Sequence, residues 1–210
     1  MRVAAVVTDI EGTTSAIAFV KETLFPFAEA ALDGFLDAHG AEPKVAALLA
    51  EVPGPDRRAT LRRWMAEDAK VTALKSLQGL IWRAGFEDGR LRGHLWPDVA
   101  DCLGAWARAG LALAVYSSGS AEAQRLLFRH SVAGNLEGLF RGFFDTRIGA
   151  KREAASYAAI AAALMHRPGE ILFLSDVAEE LDAAAAAGFL ACQLVREADG
   201  TRPSGRHPEA

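Results

Sequence analysis

The chain has 210 residues, about half hydrophobic and about a quarter charged, enough to bury one substantial core or one core with a small appended module. A net charge of -4, with no basic cluster interleaved with aromatics, gives nucleic-acid binding no electrostatic support. The first apolar run is too short for a membrane span or a signal-peptide core, so no membrane association and a cytoplasmic location are expected.

Cys102 and Cys192 lie apart in apolar surroundings and read as buried, reduced thiols. The five histidines fall in no metal-ligand spacing.

In chain order, Val3-Ala4-Ala5-Val6-Val7 is short, continuously apolar and partly β-branched, which predicts a strand buried on both faces. Asp9 then stands at the strand's C-terminal edge, where open α/β sheets place their ligand crevices. Glu11 follows across a turn that Gly12 permits, and the Thr13 and Thr14 hydroxyls can satisfy neighbouring groups. From Phe19 to about Ala38 apolar residues recur at helical spacing, with a kink or restart expected at Pro26. Further helices are expected over 44–51, 57–69 and 71–84, with Pro53-Gly54-Pro55 as a loop between the first two. No convincing strand interrupts this block. Residues 19–93, with 85–93 as the return segment, therefore read as a helical insertion into an α/β core made of 1–18 and 94–210.

From Trp96 helix and strand alternate again. Pro97 and Gly110 bracket a helix, 111–116 reads as a second buried strand, and the polar loop Ser117-Ser118-Gly119-Ser120 leads into a helix from Ala121 to about His130. Residues 140–148 are irregular or a short strand, and 153–165 form an Ala-rich helix preceded by Lys151. A third apolar strand, 171–175, ends on Asp176 before a helix through Ala187, and 190–195 gives a fourth. Residues 197–210 read as a polar surface tail with a frayed end.

Asp9 with Glu11, Ser117 with Ser118, Lys151, and Asp176 with Glu180 thus sit at or near strand ends. A parallel sheet shares one C-terminal edge, so they can converge on one crevice. Asp9 and Asp176 offer hard oxygen ligands suited to magnesium, which takes one or two carboxylates plus water and phosphate oxygens. Lys151 supplies a cation, and the serine hydroxyls with the amides that follow, at a helix N-terminus, suit phosphate oxygens. Asp9 is the candidate nucleophile, through an aspartyl-phosphate. Glu11 is the candidate acid for the leaving oxygen and then the base for water. Taken singly, the serines and Asp176 can be helix caps, and Lys151 and Glu180 solvated residues. Their order at the ends of successive buried strands favours the catalytic reading.

That order, with an Asp-x-Glu-x-Thr loop after the first strand, resembles the haloacid dehalogenase superfamily of phosphatases, whose members usually carry a second Asp where this chain has Glu11. Asp-Ile-Glu-Gly-Thr-Thr from Asp9, Phe19-Val20-Lys21, Leu24-Phe25-Pro26 and Leu74-Lys75-Ser76-Leu77-Gln78-Gly79 make the resemblance narrower. With Tyr116-Ser117-Ser118-Gly119-Ser120, Ala123-Gln124, Asp145-Thr146-Arg147-Ile148-Gly149-Ala150-Lys151 and Phe173-Leu174-Ser175-Asp176-Val177, the chain is similar nearly throughout to the enolase-phosphatase (acireductone synthase) family of methionine salvage.

This resemblance implies an α/β fold with a Rossmann-like core, a parallel sheet flanked by helices, and an inserted α-helical cap. It implies one magnesium ion held by Asp9, a main-chain oxygen of Glu11 and Asp176, with Asp9, Glu11 and Lys151 catalytic and Ser117, Ser118 and Lys151 on the substrate. The substrate implied is a small phosphorylated diketone, 2,3-diketo-5-methylthiopentyl-1-phosphate, enolised and then dephosphorylated to the acireductone. Lys75, Gln78, Trp82 and Arg83 are the cap candidates for substrate choice, with core packing at helical spacing favoured over substrate contact for Trp82. A monomer is expected. An ordinary magnesium-dependent phosphatase acting on another small phosphomonoester, a non-catalytic phosphate- or nucleotide-binding module and a dehalogenase stand as alternatives.

Overall fold

The apolar run at the start of the chain forms β1, Ala5–Thr8, with all four residues buried. In this computed structural model, which describes residues 2–210, the chain divides into two compact units, Met1–Ile17 with Arg92–Ala210 and, between them in sequence, Ala18–Leu91.

The second unit is all helical. A short helix α1, Ile17–Phe19, runs into a π-helical turn, Val20–Leu24, and then into α2, Phe25–His39. The restart expected at Pro26 is therefore a local change of pitch, since the proline sits in the first turn of α2 and the π-turn lies just before it. Helices α3 (Pro43–Ala50), α4 (Arg57–Ala66) and α5 (Thr72–Glu87) follow. Asp56 caps α4 by accepting from the Ala59 N–H at 3.0 Å. Leu32, Leu61, Leu74, Leu77 and Ile81 close this unit's own core. Helix α5 runs through Gly85 instead of stopping there. A Cβ at that position would lie 2.4 Å from the Phe27 ring, so the glycine serves close packing and not a chain break.

In the first unit α6 (Val99–Arg108), β2 (Ala112–Tyr116), α7 (Ala121–Arg129), β3 (Phe140–Phe144), α8 (Ala154–Leu164), β4 (Ile171–Ser175), α9 (Ala178–Ala186) and β5 (Leu190–Gln193) alternate. The five strands pair in the order β3-β2-β1-β4-β5, and every pair is parallel. Thr8 is level with Val115 on one side and Leu174 on the other, so Asp9, Ser117 and Asp176 all leave the sheet at one edge. Because β1 has a later strand on each side, the chain reverses direction of travel here, and that is where a doubly wound sheet opens a crevice. Beneath it Val7, Ala114, Tyr116, Tyr157, Ile160, Phe173 and Leu181 form the buried core.

Residues 196–210 are polar and largely exposed, yet they are not loose. Gln193 N–H donates to Pro208 O at 2.7 Å, Ala210 N–H to Gln193 O at 2.9 Å and Val195 N–H to Ala210 O at 3.0 Å, so the segment lies along β5. Arg206 pairs with Asp182 and Glu179 of α9. Polarity misled the expectation of a frayed end, because these polar groups bond to the chain itself. Among the described residues, no helix is long and apolar enough to cross a membrane.

Candidate active site

Asp9 follows β1 directly and is 2% exposed. Its backbone is fixed on both sides: the N–H donates to Leu174 O at 2.9 Å, and the C=O accepts from the hydroxyls of Thr8 at 2.9 Å and Thr14 at 3.1 Å. Lys151 Nζ lies 2.7 Å from Asp9 Oδ1, an ion pair outside hydrogen-bond geometry, and 2.6 Å from Glu180 Oε2. Glu180 is buried and also accepts from Ser175 Oγ at 3.0 Å. Glu180 follows Ser175 by five positions, so the strand end and the first turn of α9 together hold the lysine's second partner.

The loop that carries Lys151 is itself tied down. Three successive carbonyls accept from three hydroxyls of the core: Gly149 O from Tyr116 at 2.9 Å, Ala150 O from Ser156 at 2.8 Å and Lys151 O from Tyr157 at 2.7 Å. Tyr116 and Tyr157 meet edge to face, 5.5 Å between centroids, so the hydroxyls are positioned by aromatic packing.

Glu11 Oε2 accepts from Ser117 Oγ at 3.2 Å, which joins the two loops after β1 and β2. Ser117 Oγ in turn accepts from Gly119 N–H at 3.1 Å. The start of α7 departs from the sequence expectation. Its amides were candidates for phosphate, but Ala121 N–H donates to Asp145 Oδ2 at 3.1 Å and Ala123 N–H to Ser120 Oγ at 3.2 Å. Carboxylate and hydroxyl from the chain itself hold those donors; of the two predicted serines Ser117 is buried and Ser118 exposed. Gln124 adds a tie no spacing signalled, donating from Nε2 to Gly119 O at 2.7 Å and Phe144 O at 2.8 Å.

Asp176 lies across from Asp9. Its N–H donates to Thr13 Oγ1 at 3.1 Å, while Oδ1 is buried with no hydrogen-bond partner. Burial pushes the Asp176 carboxyl up to about 6, helped by the charge of Asp9. Burial also raises Asp9, with Lys151 opposing, and raises Glu11, with Asp9 adding to the effect. Burial disfavours the Lys151 charge, but Asp9 and Glu180 outweigh it and hold the lysine above its usual pKa. Asp9, Glu11, Asp176 and Glu180 thus face a single lysine. An unpartnered carboxylate oxygen amid excess negative charge fits a bound cation. Among the described residues no group of three or more His, Cys, Asp or Glu side chains could hold a metal. A pair of carboxylates with a main-chain oxygen is instead the sparse donor set that magnesium accepts.

Gly12 makes this arrangement possible. Its φ is +76°, and a Cβ there would lie 2.4 Å from Asp176 Oδ2. Gly12→Ala is expected to destabilise the protein by about 1–3 kcal/mol and to lower turnover at least about tenfold by displacing Asp176. Thermal unfolding and initial rates check this, and wild-type rates in the folded variant would remove the close approach from the catalytic account.

The cap candidates all lie on α5. Trp82 Nε1 donates to Leu24 O at 2.7 Å and its ring lies 6.0 Å from that of Phe25, so packing within the helical unit explains it. Gln78 is 7% exposed, Lys75 is exposed and Arg83 is intermediate.

A parallel sheet with a buried carboxylate after β1, a lysine paired to it and a second carboxylate after β4 defines a hydrolase of the haloacid dehalogenase-like family, whose profile matches residues 3–188. The chain belongs to that family. It is 57% identical to an enolase-phosphatase E1 of Granulibacter bethesdensis, covering 98% of this chain and 91% of the relative. An enolase-phosphatase E1 of Acidiphilium cryptum is 55% identical over 98% and 90% of the two chains. The crystal structure of the UTR4 protein from Saccharomyces cerevisiae superposes with a TM-score of 0.88 at 31% identity, covering 100% of this chain and 97% of that one. CbbY from Rhodobacter sphaeroides, at 19% identity and a TM-score of 0.64, shares the fold. Within the family, the chain groups with the enolase-phosphatases.

Proposed function

We propose that the chain is a magnesium-dependent enolase-phosphatase that converts 2,3-diketo-5-methylthiopentyl-1-phosphate, through its enol, to acireductone and phosphate. Relatives named enolase-phosphatase E1 at 50–57% identity support the activity. The observation that carries the residue roles is the buried Asp9–Lys151 pair with Glu11 held beside it by Ser117.

Asp9 is the nucleophile. Its carboxylate bonds to phosphorus as the bond from phosphorus to the substrate oxygen breaks, and Glu11 gives that oxygen a proton. Burial and the charge of Asp9 make Glu11 hold its proton more tightly than an ordinary glutamate, which suits an acid. Glu11, now a carboxylate, takes a proton from water. The water oxygen attacks phosphorus, the bond to Asp9 breaks, and phosphate is released. In the enolisation that precedes this, Glu11 as a carboxylate takes a proton from the carbon bearing the phosphate oxygen and passes it to the neighbouring carbonyl oxygen, and it then takes up a proton from solvent before phosphoryl transfer begins. Asp9, the main-chain oxygen of Glu11 and Asp176 would hold the magnesium ion, which when bound supplies positive charge to phosphate oxygens and to the developing enolate. Lys151 stays cationic beside Asp9 and adds to that charge. Ser117 and Ser118 orient the phosphate, and Lys75, Gln78 and Arg83 are the candidates for substrate choice. The enzyme is assigned to the cytoplasm as a monomer, and its two free cysteines suit a reducing compartment.

The test is turnover of the diketo phosphate and of generic sugar phosphates, with and without magnesium, following enol and phosphate separately. Both products are expected from the diketo phosphate alone and only with magnesium. Faster release from a sugar phosphate would favour an ordinary phosphatase, and turnover that survives chelation would favour dehalogenase-like chemistry.

A further inference from the structure

Asp176 is held at both ends of its residue by side chains remote in sequence. Its N–H donates to Thr13 Oγ1 at 3.1 Å and its C=O accepts from Gln193 Nε2 at 2.9 Å. Gln193 is 2% exposed, and both its polar atoms are used: Nε2 also donates to Arg202 O at 3.1 Å, and Oε1 accepts from Ser204 N–H at 2.9 Å. Thr13 is held in turn, its C=O accepting from Arg196 Nε at 3.0 Å. The Arg196 guanidinium forks onto Asp98 at 2.8 and 2.9 Å and lies 5.6 Å from the centre of the Trp96 ring. The contacts close a ring that runs from β5 to the Asp176 loop, on to Thr13, across to Arg196 and back along the chain to Gln193.

Ending an edge strand does not require such a ring, because water satisfies exposed edge groups. Fixing a long glutamine and a long arginine costs side-chain entropy, which ordinary solvent-facing residues avoid. The loop they hold explains the investment. Asp176 carries a buried carboxylate oxygen without a partner, pressed against Gly12. Left free to turn, such a group rotates toward water. With its N–H and C=O both fixed, the main chain that sets the direction of the side chain cannot turn.

We propose that Thr13, Gln193 and Arg196 form a positioning clamp that keeps the Asp176 carboxylate aimed beside Asp9, so that the magnesium site is formed before the ion arrives. The clamp residues act through the main chain of Asp176 and of Thr13. This rests on the magnesium reading given above. Partners one step removed from a metal ligand typically set about 10- to 100-fold of metal affinity.

Isothermal titration of magnesium into the full chain tests the clamp, comparing wild type, Gln193→Met and Arg196→Met. Arg206→Met, which breaks only the ion pairs to Asp182 and Glu179, serves as the control, and thermal midpoints are measured for all. Magnesium affinity is expected to weaken about tenfold or more in both clamp variants and to stay unchanged in the control. Activity of the clamp variants should recover toward wild type at saturating magnesium. Lost stability alone does not give that pattern, since the folded fraction would bind the ion normally. Should the buried Gln193→Met fail to fold, Arg196→Met tests the same ring from its more exposed side. Affinity within about twofold of wild type in the folded variants overturns the clamp alone. Absence of binding by wild type overturns the magnesium reading and the clamp with it.

Discussion

Asp9→Asn is expected to fold normally and to release phosphate at least about 10⁴-fold more slowly than wild type. The substitution keeps size and shape, and the backbone bonds of residue 9, to Leu174, Thr8 and Thr14, do not involve its side chain. An amide cannot form the bond to phosphorus, so the covalent route closes completely. Stability should hold because the carboxylate is a burden on the folded state. Burial raises its pKa, and its charge raises those of Glu11, Asp176 and Glu180. Removing it relieves these three acids and leaves Lys151 one partner, Glu180, at 2.6 Å. The thermal midpoint in metal-free buffer is therefore expected to equal or exceed that of wild type, while phosphate release disappears. A folded variant that retains turnover within about tenfold would return Asp9 to a structural role. A wild-type chain that binds phosphate without turning it over would be a binding module.

The sheet was readable wherever strands are buried on both faces. The runs leading to Asp9, Ser117 and Asp176 are continuous and apolar, and each lies in β1, β2 or β4 at the centre of the order. β3 is equivocal in the pattern, open between irregular chain and a short strand, because Phe140-Arg141-Gly142-Phe143-Phe144 is an edge strand with no fully buried residue, and its register against β2 shifts between Leu113 and Ala114. The parallel strands bring Asp9, Ser117 and Asp176 to the one edge that their places after apolar runs predict, while the loop of Lys151 is set by the hydroxyls of Tyr116, Ser156 and Tyr157. Groups that already have partners do not show in the pattern. Asp145 takes the Ala121 amide across 24 residues, and Gln193 reaches Asp176 across 17. No local spacing distinguishes such a side chain from one that faces water. Glu180 stands between the two cases: its place after a strand end makes it a candidate, its helical position equally suits an exposed acid, and the fold puts Lys151 and Ser175 around it.

Glu11→Gln is expected to stop both enol formation and phosphate release, each by at least about 10²-fold. The amide oxygen can still accept from Ser117 Oγ, so the link between the loops survives and the lost function is proton transfer itself. Enol absorbance and free phosphate, followed in the same reaction, separate the steps. Normal enol accumulation with no phosphate would confine Glu11 to the second step and require another base for the first. Glu11→Asp sharpens the contrast, because it keeps the acid and withdraws it by one methylene. The Ser117 contact, already 3.2 Å in wild type, is then lost along with reach toward the substrate carbon. Protonating an oxygen tolerates some displacement, with water able to bridge, whereas taking a proton from carbon requires direct approach. Release from a simple phosphomonoester is therefore expected to fall about tenfold and enolisation at least about 10²-fold. Equal losses in the two steps would mean that the longer acid does not serve the enolase half of the reaction in particular.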